Sequence, residues 1–179
     1  MYQLVSMEEK IRIPPTLTKM EVSDAILHVL KEKYEGKVNK DFGLILKIVN
    51  AKPIGSGLII LGDPNIYYKT HFDLLVFNAE VNEVFLAYVK SVMDFGAFVV
   101  IGPFEALLHI SQISKDRFYY DKKTKTLISK DGKKKIKEGD KLFVKVSTAN
   151  LSDISNVKIS VTMRDSGLGN IQWLEGKKK

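Results

Sequence analysis

The stretch that decides the fold of the second half is Asp94-Phe95-Gly96-Ala97-Phe98-Val99, followed by Leu107-Leu108-His109-Ile110-Ser111. Aromatic rings beside cationic side chains suit single-stranded nucleic acid, because each base has a face for stacking and each phosphate needs a cation. Strict alternation along a strand would place Phe95 and Phe98 on opposite faces. A bulge at Gly96 would bring both rings to one face, and without it one ring belongs to the core. The sequence alone leaves both arrangements open.

The segments around this stretch have the length and alternation of short strands. The five candidates are Val84–Val92, Phe95–Ile101, Glu105–Ile110, Leu142–Thr148 and Val157–Val161. Five short strands without a long helix predict a small Greek-key barrel of the OB-fold type. A long insertion, Ser114–Gly139, separates the third and fourth strands. Its Asp131-Gly132 pair predicts a tight hairpin.

The first half has the pattern β-α-β-β-β, which predicts an α+β domain. A strand over Tyr2–Ile13 ends at Pro14-Pro15, since proline cannot donate to a sheet. Thr18 and Glu21 form a capping-box pattern, so we expect a helix over residues 18–34 that stops at Gly36. Three further strands are expected over Phe42–Val49, Gly57–Leu61 and Ile66–Phe77, with turns over 52–57 and 62–65. We expect domain boundaries at 1–80 and 81–179.

The net charge of +7 lies entirely in the second half. Residues 1–80 hold 10 Lys and Arg against 10 Asp and Glu, whereas residues 81–179 hold 18 against 11. A basic half joined to a neutral half predicts two modules, one of which meets a polyanion. A basic surface without a ligand is the alternative.

The insertion is rich in lysine. Eight lysines fall between positions 122 and 137, after an aromatic run at 118–120; they are Lys122, Lys123, Lys125, Lys130, Lys133, Lys134, Lys135 and Lys137. Lysines at this density could follow a phosphate backbone and make binding steeply salt-dependent. A solvated hairpin is the alternative.

Composition gives no support to catalysis, metal binding or membrane insertion. The absence of Cys excludes disulfides, thiolate zinc sites and a Cys nucleophile. We expect no signal peptide, and the sequence has no run of roughly 20 apolar residues, so we expect a cytoplasmic protein that does not contact a membrane. His28, His71 and His109 lack metal-ligand spacing, and the first two are expected to be structural. Gly55-Ser56-Gly57 matches neither a nucleophile elbow nor a phosphate loop. We therefore expect no active site and no cofactor.

The barrel half resembles the OB-fold RNA-binding module repeated in the large ribosomal protein S-one. The matching residues are Phe95–Val99, His109-Ile110-Ser111 and Glu138-Gly139-Asp140. The resemblance implies an RNA platform of Phe95, Phe98 and His109, which Tyr88 and Lys90 could extend by strand parity. Asp153 and Lys158 are the nearest counterparts of an Asp and an Arg that the family often adds. The chain departs from the family in having Ala87 and Ala106 where Gly is common. The expected RNA-binding residues are Phe95, Phe98, His109, Tyr88, Lys90, Lys158, Lys133, Lys134 and Lys135.

The whole chain is similar to a second family, the E-prime stalk subunits of archaeal DNA-directed RNA polymerase, counterparts of the seventh subunit of eukaryotic polymerase II. The matching pieces, in order, are Met1–Leu4, Ile13-Pro14-Pro15, Tyr67-Tyr68-Lys69, Phe72–Phe77, the barrel, Thr162-Met163-Arg164 and Gly167-Leu168-Gly169. The resemblance implies a truncated RNP-like first domain that docks on the polymerase core near the clamp.

This second resemblance also implies partners. They are the F subunit (a small helical polymerase protein that forms the heterodimer), the polymerase core subunits and emerging single-stranded RNA, with a role in initiation. The expected core-docking tip comprises Pro14, Pro15, Pro53, Gly55, Gly57, Gly62, Asp63 and Pro64. These glycines and prolines could equally be ordinary turn residues.

Two rival functions remain at the level of the sequence. A free-standing RNA-binding module of an exosome or translation initiation complex carries the same barrel but leaves the first half unexplained. An enzyme acting on RNA would need a metal or an acid/base pair, and the sequence offers neither.

Overall fold

The computed structural model describes residues 1–151 and 157–175. The chain divides into two compact units, Met1–Asn78 and Ala79–Lys179. Strands dominate both units, and the described ranges contain no helix with the length and apolar character that crossing a membrane requires.

The first unit is a four-stranded antiparallel sheet covered on one face by a helix. Its elements are β1 (Tyr2–Ile13), a 3-10 turn (Pro15–Leu17), α1 (Val22–Tyr34), β2 (Val38–Asn39), β3 (Gly43–Ile59) and β4 (Ile66–Phe77). The order across the sheet is β1-β4-β3-β2. The predicted α+β class is confirmed.

Helix α1 packs through the apolar stripe that its spacing predicts. Ile26 and Leu30 are fully buried against sheet residues that include Ile11, Phe72 and Leu74. At the rim, Glu9 of β1 accepts hydrogen bonds from Lys33 and Tyr34 of α1. An apolar stripe with a polar rim fixes the helix on one face of the sheet.

The predicted capping box is wrong. Helix α1 begins at Val22, and its N-cap residue Glu21 makes no side-chain cap hydrogen bond. The Thr18 hydroxyl instead donates to the carbonyl of Pro15 at 2.7 Å, closing the 3-10 turn that the proline pair starts. Proline fixes the backbone of this turn, so Thr18 is already used before the helix begins.

The predicted turn over 52–57 is also wrong, because β3 runs unbroken from Gly43 to Ile59. The register with β4 shifts between Ile54 and Leu58, so the Gly55-containing segment is a bulge within the strand. Strand β2 covers only the start of β3, which leaves the rest of β3 as an edge. An edge strand tolerates Pro53 because its outward side needs no N–H donor.

The second unit is a closed five-stranded barrel, as predicted. Its elements are β5 (Val84–Met93), β6 (Gly96–Ile101), β7 (Phe104–His109), a 3-10 turn (Ile110–Gln112), β8 (Phe118–Asp121), β9 (Thr126–Ser129), β10 (Lys135–Ile136), β11 (Lys141–Asn150), β12 (Lys158–Thr162), β13 (Gly169–Asn170) and α2 (Ile171–Glu175). The sheet runs β12-β7-β6-β5-β11, and pairing of β11 with β12 closes it. Alternate residues such as Val99, Leu108 and Val144 fill the interior.

The insertion is a packed three-stranded sheet, β10-β9-β8, and not a single solvated hairpin. Leu127 and Ile136 are fully buried, and the ring of Phe118 lies 6.2 Å from that of Trp173. The Asp131-Gly132 pair does lie in a turn, between β9 and β10, where the Gly132 amide bonds the Ser129 carbonyl at 2.8 Å. A second hairpin turn, between β8 and β9, was not predicted.

Strand β6 begins at a glycine because there is no room for a side chain. A Cβ on Gly96 would lie 2.2 Å from the carbonyl oxygen of Leu108 on β7. Residue Gly96 also has φ of 154°, which side chains rarely adopt. This close approach lets β6 pair with β7 in unbroken register, from the pair of Gly96 with His109 to the pair of Ile101 with Phe104.

We expect Leu30→Ala to lower the free energy of unfolding by about 2–5 kcal/mol, because it leaves a cavity under α1. His28→Ala on the exposed side of the same helix should change it by less than about 0.5 kcal/mol. Urea unfolding of the full chain, followed by circular dichroism, measures both. Equal losses for the two variants would contradict this account of the first core.

Gly96→Ala should destabilise the chain by at least about 2 kcal/mol more than Gly132→Ala, because only the first side chain meets the backbone. The control Gly132 has φ of 70° and nothing within 4 Å of an added Cβ. Thermal unfolding of the two variants tests the steric argument, which fails if their losses are similar.

Candidate nucleic-acid interface and docking tip

Phe95 and Phe98 lie together on the outer side of the barrel. Their ring centroids are 6.1 Å apart, with the planes at 86°. Phe95 is 44% exposed, and Phe98 is partly buried between neighbouring strands. Since the rings are perpendicular, each can offer its own face to a different base.

The two rings share a side without a bulge at Gly96. Phe95 precedes β6 in the turn after Asp94, so strand alternation does not apply to it. The register irregularity lies instead on β5, between Val89 and Ser91. The turn and the side-chain-free start of β6 together place Phe95 beside Phe98.

His109 ends β7 directly opposite Gly96. Its Nδ1 accepts a hydrogen bond from the Ser111 amide at 3.3 Å and lies 2.8 Å from the Ser111 hydroxyl. An acceptor Nδ1 places the proton of the neutral ring on Nε2. His109 is therefore held by its neighbour and has an N–H to donate from an exposed ring.

Tyr88 and Lys90 are both exposed on β5, as strand parity predicts. Lys90 forms an ion pair with Glu105 on β7, and both side chains are about half exposed, at 56% and 51%. Such a surface pair is weak, so a phosphate could displace the carboxylate. Sequence reasoning missed Lys141, whose ammonium lies 5.5 Å from the centre of the Tyr88 ring, because no motif marks it.

Lys158 is exposed at the start of β12, on the side of that strand that Ser160 shares. Ser160 pairs with Leu107 of β7, so Lys158 lies two residues along from the row that contains Phe98. Asp153 falls outside the described residues.

The insertion lysines are not equivalent. Lys134 pairs with Asp116 at 2.7 Å, and its hydrogen bond is the largest cause that lowers the pKa of that carboxyl. The Lys133 amide donates to Asp131, and Lys133 and Lys135 are both exposed. Of the three, Lys133 and Lys135 are therefore more accessible to an anion than Lys134.

The other two histidines, which the structure describes, do not belong to a metal-binding cluster. His28 is exposed on α1, and His71 lies 3.9 Å from Glu8 and 3.8 Å from Asp73 on the open face of the first sheet. Across residues 1–151 and 157–175, no group of three His, Asp or Glu side chains could hold a metal ion.

Five of the eight expected tip residues lie at one end of the first sheet. Ile13, Ile66 and Ile59 lie level across β1, β4 and β3, so the proline pair and the 60–65 loop leave from the same end. These residues are Pro14, Pro15, Gly62, Asp63 and Pro64. The other three lie within β3 itself: Pro53 is in regular register with Thr70, and Gly55 and Gly57 lie in the bulge between Ile54 and Leu58.

Asp63 holds the loop together. Its carboxylate accepts hydrogen bonds from the Tyr67 hydroxyl at 2.7 Å and from the Asn65 amide at 2.9 Å. The Tyr67 bond is the largest cause that lowers the pKa of Asp63. The loop is therefore a shaped turn with a charged support, and Gly62 has the left-handed backbone it needs, with φ of 87°.

The tip carries an apolar run that sequence reasoning assigned to an ordinary strand. Leu58, Ile59, Ile60 and Leu61 are consecutive and all exposed, with Leu61 fully so at 103%. Four adjacent aliphatic side chains in water are unusual for a surface loop and typical of a contact site. The sequence signal for this surface is a run of four apolar residues without the polar alternation of a half-buried strand.

Two family models match the chain in succession. Residues 8–64 match the SHS2 domain found in the N terminus of Rpb7p, Rpc25p and MJ0397. Residues 78–150 match the S1 RNA binding domain. The second match contains both phenylalanines and His109.

Curated relatives extend the similarity to the full chain. DNA-directed RNA polymerase subunit Rpo7 of Sulfolobus acidocaldarius is 36% identical over 97% of this chain and 95% of its own length. The Rpo7 subunit of Saccharolobus shibatae is 34% identical over the whole of both chains. DNA-directed RNA polymerase III subunit RPC8 of Bos taurus is 28% identical over 60% of this chain and 53% of its own. The chain therefore belongs to the Rpo7 family of DNA-directed RNA polymerase subunits, the archaeal stalk-subunit family that its sequence resembles.

Proposed function

We propose that this chain is a non-catalytic stalk subunit that binds emerging single-stranded RNA on its barrel and docks on the polymerase core through its first unit. In this proposal it pairs with the small helical F subunit, supports initiation and works in the cytoplasm. The observation that carries the RNA part is the outward pair Phe95 and Phe98 beside His109, in a barrel that matches the S1 model.

The barrel surface supplies what single-stranded RNA requires. Two perpendicular rings offer stacking faces, and the His109 Nε2–H offers a donor to a phosphate or a base edge. Lys90 on β5, Lys141 on β11 and Lys158 on β12 are exposed on the same barrel, where they could bind the RNA backbone. Because aromatic stacking suits every base, we expect binding with little sequence preference.

The first unit supplies a contact site for protein. The exposed run Leu58–Leu61 forms an apolar surface at the end of β3 and the start of the loop that Asp63 holds. Burying such side chains in a partner is favourable by roughly 25 cal/mol for each Å² removed from water. We propose that the polymerase core, near the clamp, is that partner.

A free-standing RNA-binding module accounts for less of the chain. It leaves the SHS2 match over residues 8–64 and the apolar tip without a role.

We expect Phe98→Ala and Phe95→Ala each to weaken binding of a single-stranded RNA by about 1–3 kcal/mol, the usual loss of one stacked base. Leu86→Ala is the matched control, since Leu86 is 43% exposed on the barrel and carries no ring. Fluorescence anisotropy with a labelled oligonucleotide measures the affinities. Unchanged affinity in a folded Phe95→Ala/Phe98→Ala double variant would reject the platform.

Leu61→Asp combined with Ile59→Asp should reduce association with the purified polymerase core at least about tenfold, because charges cannot be buried in an apolar contact. The control is Leu4→Asp/Val49→Asp, which places two Asp at apolar residues that are 66% and 53% exposed, toward the other end of the same sheet. Reconstitution of each variant with stalk-free core, followed by gel filtration, gives the comparison. Equal recovery of both variants would show that the tip is not the docking site.

A further inference from the structure

A groove of about 380 Å³ begins where the aromatic platform ends. Ile110 and Ser111 line one side, directly after His109, and Arg117 and Tyr119 of the insertion line another. Ser111 is the residue that holds His109. A strand lying on the platform and leaving past His109 would therefore enter this groove.

The groove is cationic. Arg117, Arg164 and Lys115 line it, and all three are exposed. Within the described part of the chain, no ion pair joins any of these three to a carboxylate. The one carboxylate among the lining residues, Asp116, is already paired with Lys134 at 2.7 Å, and Ser114 also donates to it. Three cations thus line the groove, and its one lining carboxylate is already paired with a lysine.

An aromatic side chain also lines the groove. Tyr119 is 53% exposed on β8, although the residue before it, Phe118, is buried as the anchor of the insertion sheet. An exposed tyrosine among guanidinium groups is a further stacking surface, since both types stack on bases. The pairing of β8 with β9 holds Tyr119 opposite Ile128, so its position is fixed by the sheet.

We propose that this groove is a second RNA subsite, in which Arg117, Arg164 and Lys115 bind backbone phosphates and Tyr119 stacks one base downstream of the Phe95–Phe98 platform. The proposal rests on the proposed RNA function of the barrel. It gives the insertion a role through its Arg117–Tyr119 edge, whereas the lysines at the far end of the β8–β9 hairpin take no part. An acidic protein segment would fit the charges but leaves the exposed ring unused.

The test compares single-stranded RNAs of two lengths, about four and about twelve nucleotides, within the range that one OB-fold covers. The variants are Arg117→Gln/Arg164→Gln and Tyr119→Ala. The control is Lys123→Gln, which removes one charge from the exposed turn at the opposite end of β8. Circular dichroism confirms that each full-length variant is folded.

We expect the double variant to bind the longer RNA at least about tenfold more weakly and the shorter RNA with less than about twofold change. The slope of log affinity against log salt should become less negative by about 0.7 for each phosphate that is no longer neutralised. Tyr119→Ala should weaken binding of the longer RNA only, and Lys123→Gln should leave the binding of both RNAs unchanged.

Unchanged binding of the longer RNA by the double variant would overturn the subsite. If Phe95→Ala/Phe98→Ala still weakened binding of both RNA lengths, the aromatic platform would be supported without the groove subsite. If the platform variant changed neither length, the proposed RNA function itself would fail. Loss of binding to an acidic peptide such as poly-aspartate, with RNA binding intact, would assign the groove to a protein partner and also overturn the proposal.

Discussion

The close approach of β6 to β7 at Gly96 is the constraint on which the candidate interface depends. With no side chain at Gly96, the strand can start against the Leu108 carbonyl, and the register that follows sets His109 opposite Gly96. The preceding turn then leaves Phe95 outside the strand and beside Phe98. The absence of a Cβ at Gly96 therefore allows Phe95, Phe98 and His109 to lie close together. Strict strand alternation would place the two rings on opposite faces.

Charge on the second unit is organised and not spread evenly. Lys90 pairs with Glu105, Lys134 with Asp116 and Lys145 with Asp165. Each pair removes a lysine from the field that a polyanion would meet, although exposed pairs exchange partners at little cost. The net excess of +7 thus counts for most where cations outnumber acids, as in the groove beside Ser111, where Lys115, Arg117 and Arg164 accompany the single carboxylate of Asp116.

Periodic patterns predicted the fold well because they report local burial. The stripe of α1 and the alternation of the barrel strands specify faces that the structure then buries, such as Leu30 and Val99. Predictions from turn residues were wrong where the structure depends on parts of the chain that are distant in sequence. Pro53 continues β3 because most of that strand is an edge, and Gly55 lies in a bulge of the same strand. Thr18 closes a 3-10 turn because two prolines precede it. The neighbours of a strand are set by topology, which no short stretch of sequence shows.

Site residues divide in the same way. The structure brings together Phe95, Phe98 and His109, which lie within 15 residues of sequence and belong to a family motif. Arg117 and Arg164 are far apart in sequence and meet only in the folded chain. The most direct test of the central claim is ultraviolet cross-linking of a single-stranded RNA to the full chain, with the attached residues identified by mass spectrometry. We predict adducts on Phe95, Phe98 or His109, and on Tyr119 for a long RNA. Adducts confined to residues 1–78, or to barrel residues away from these rings, would contradict that claim.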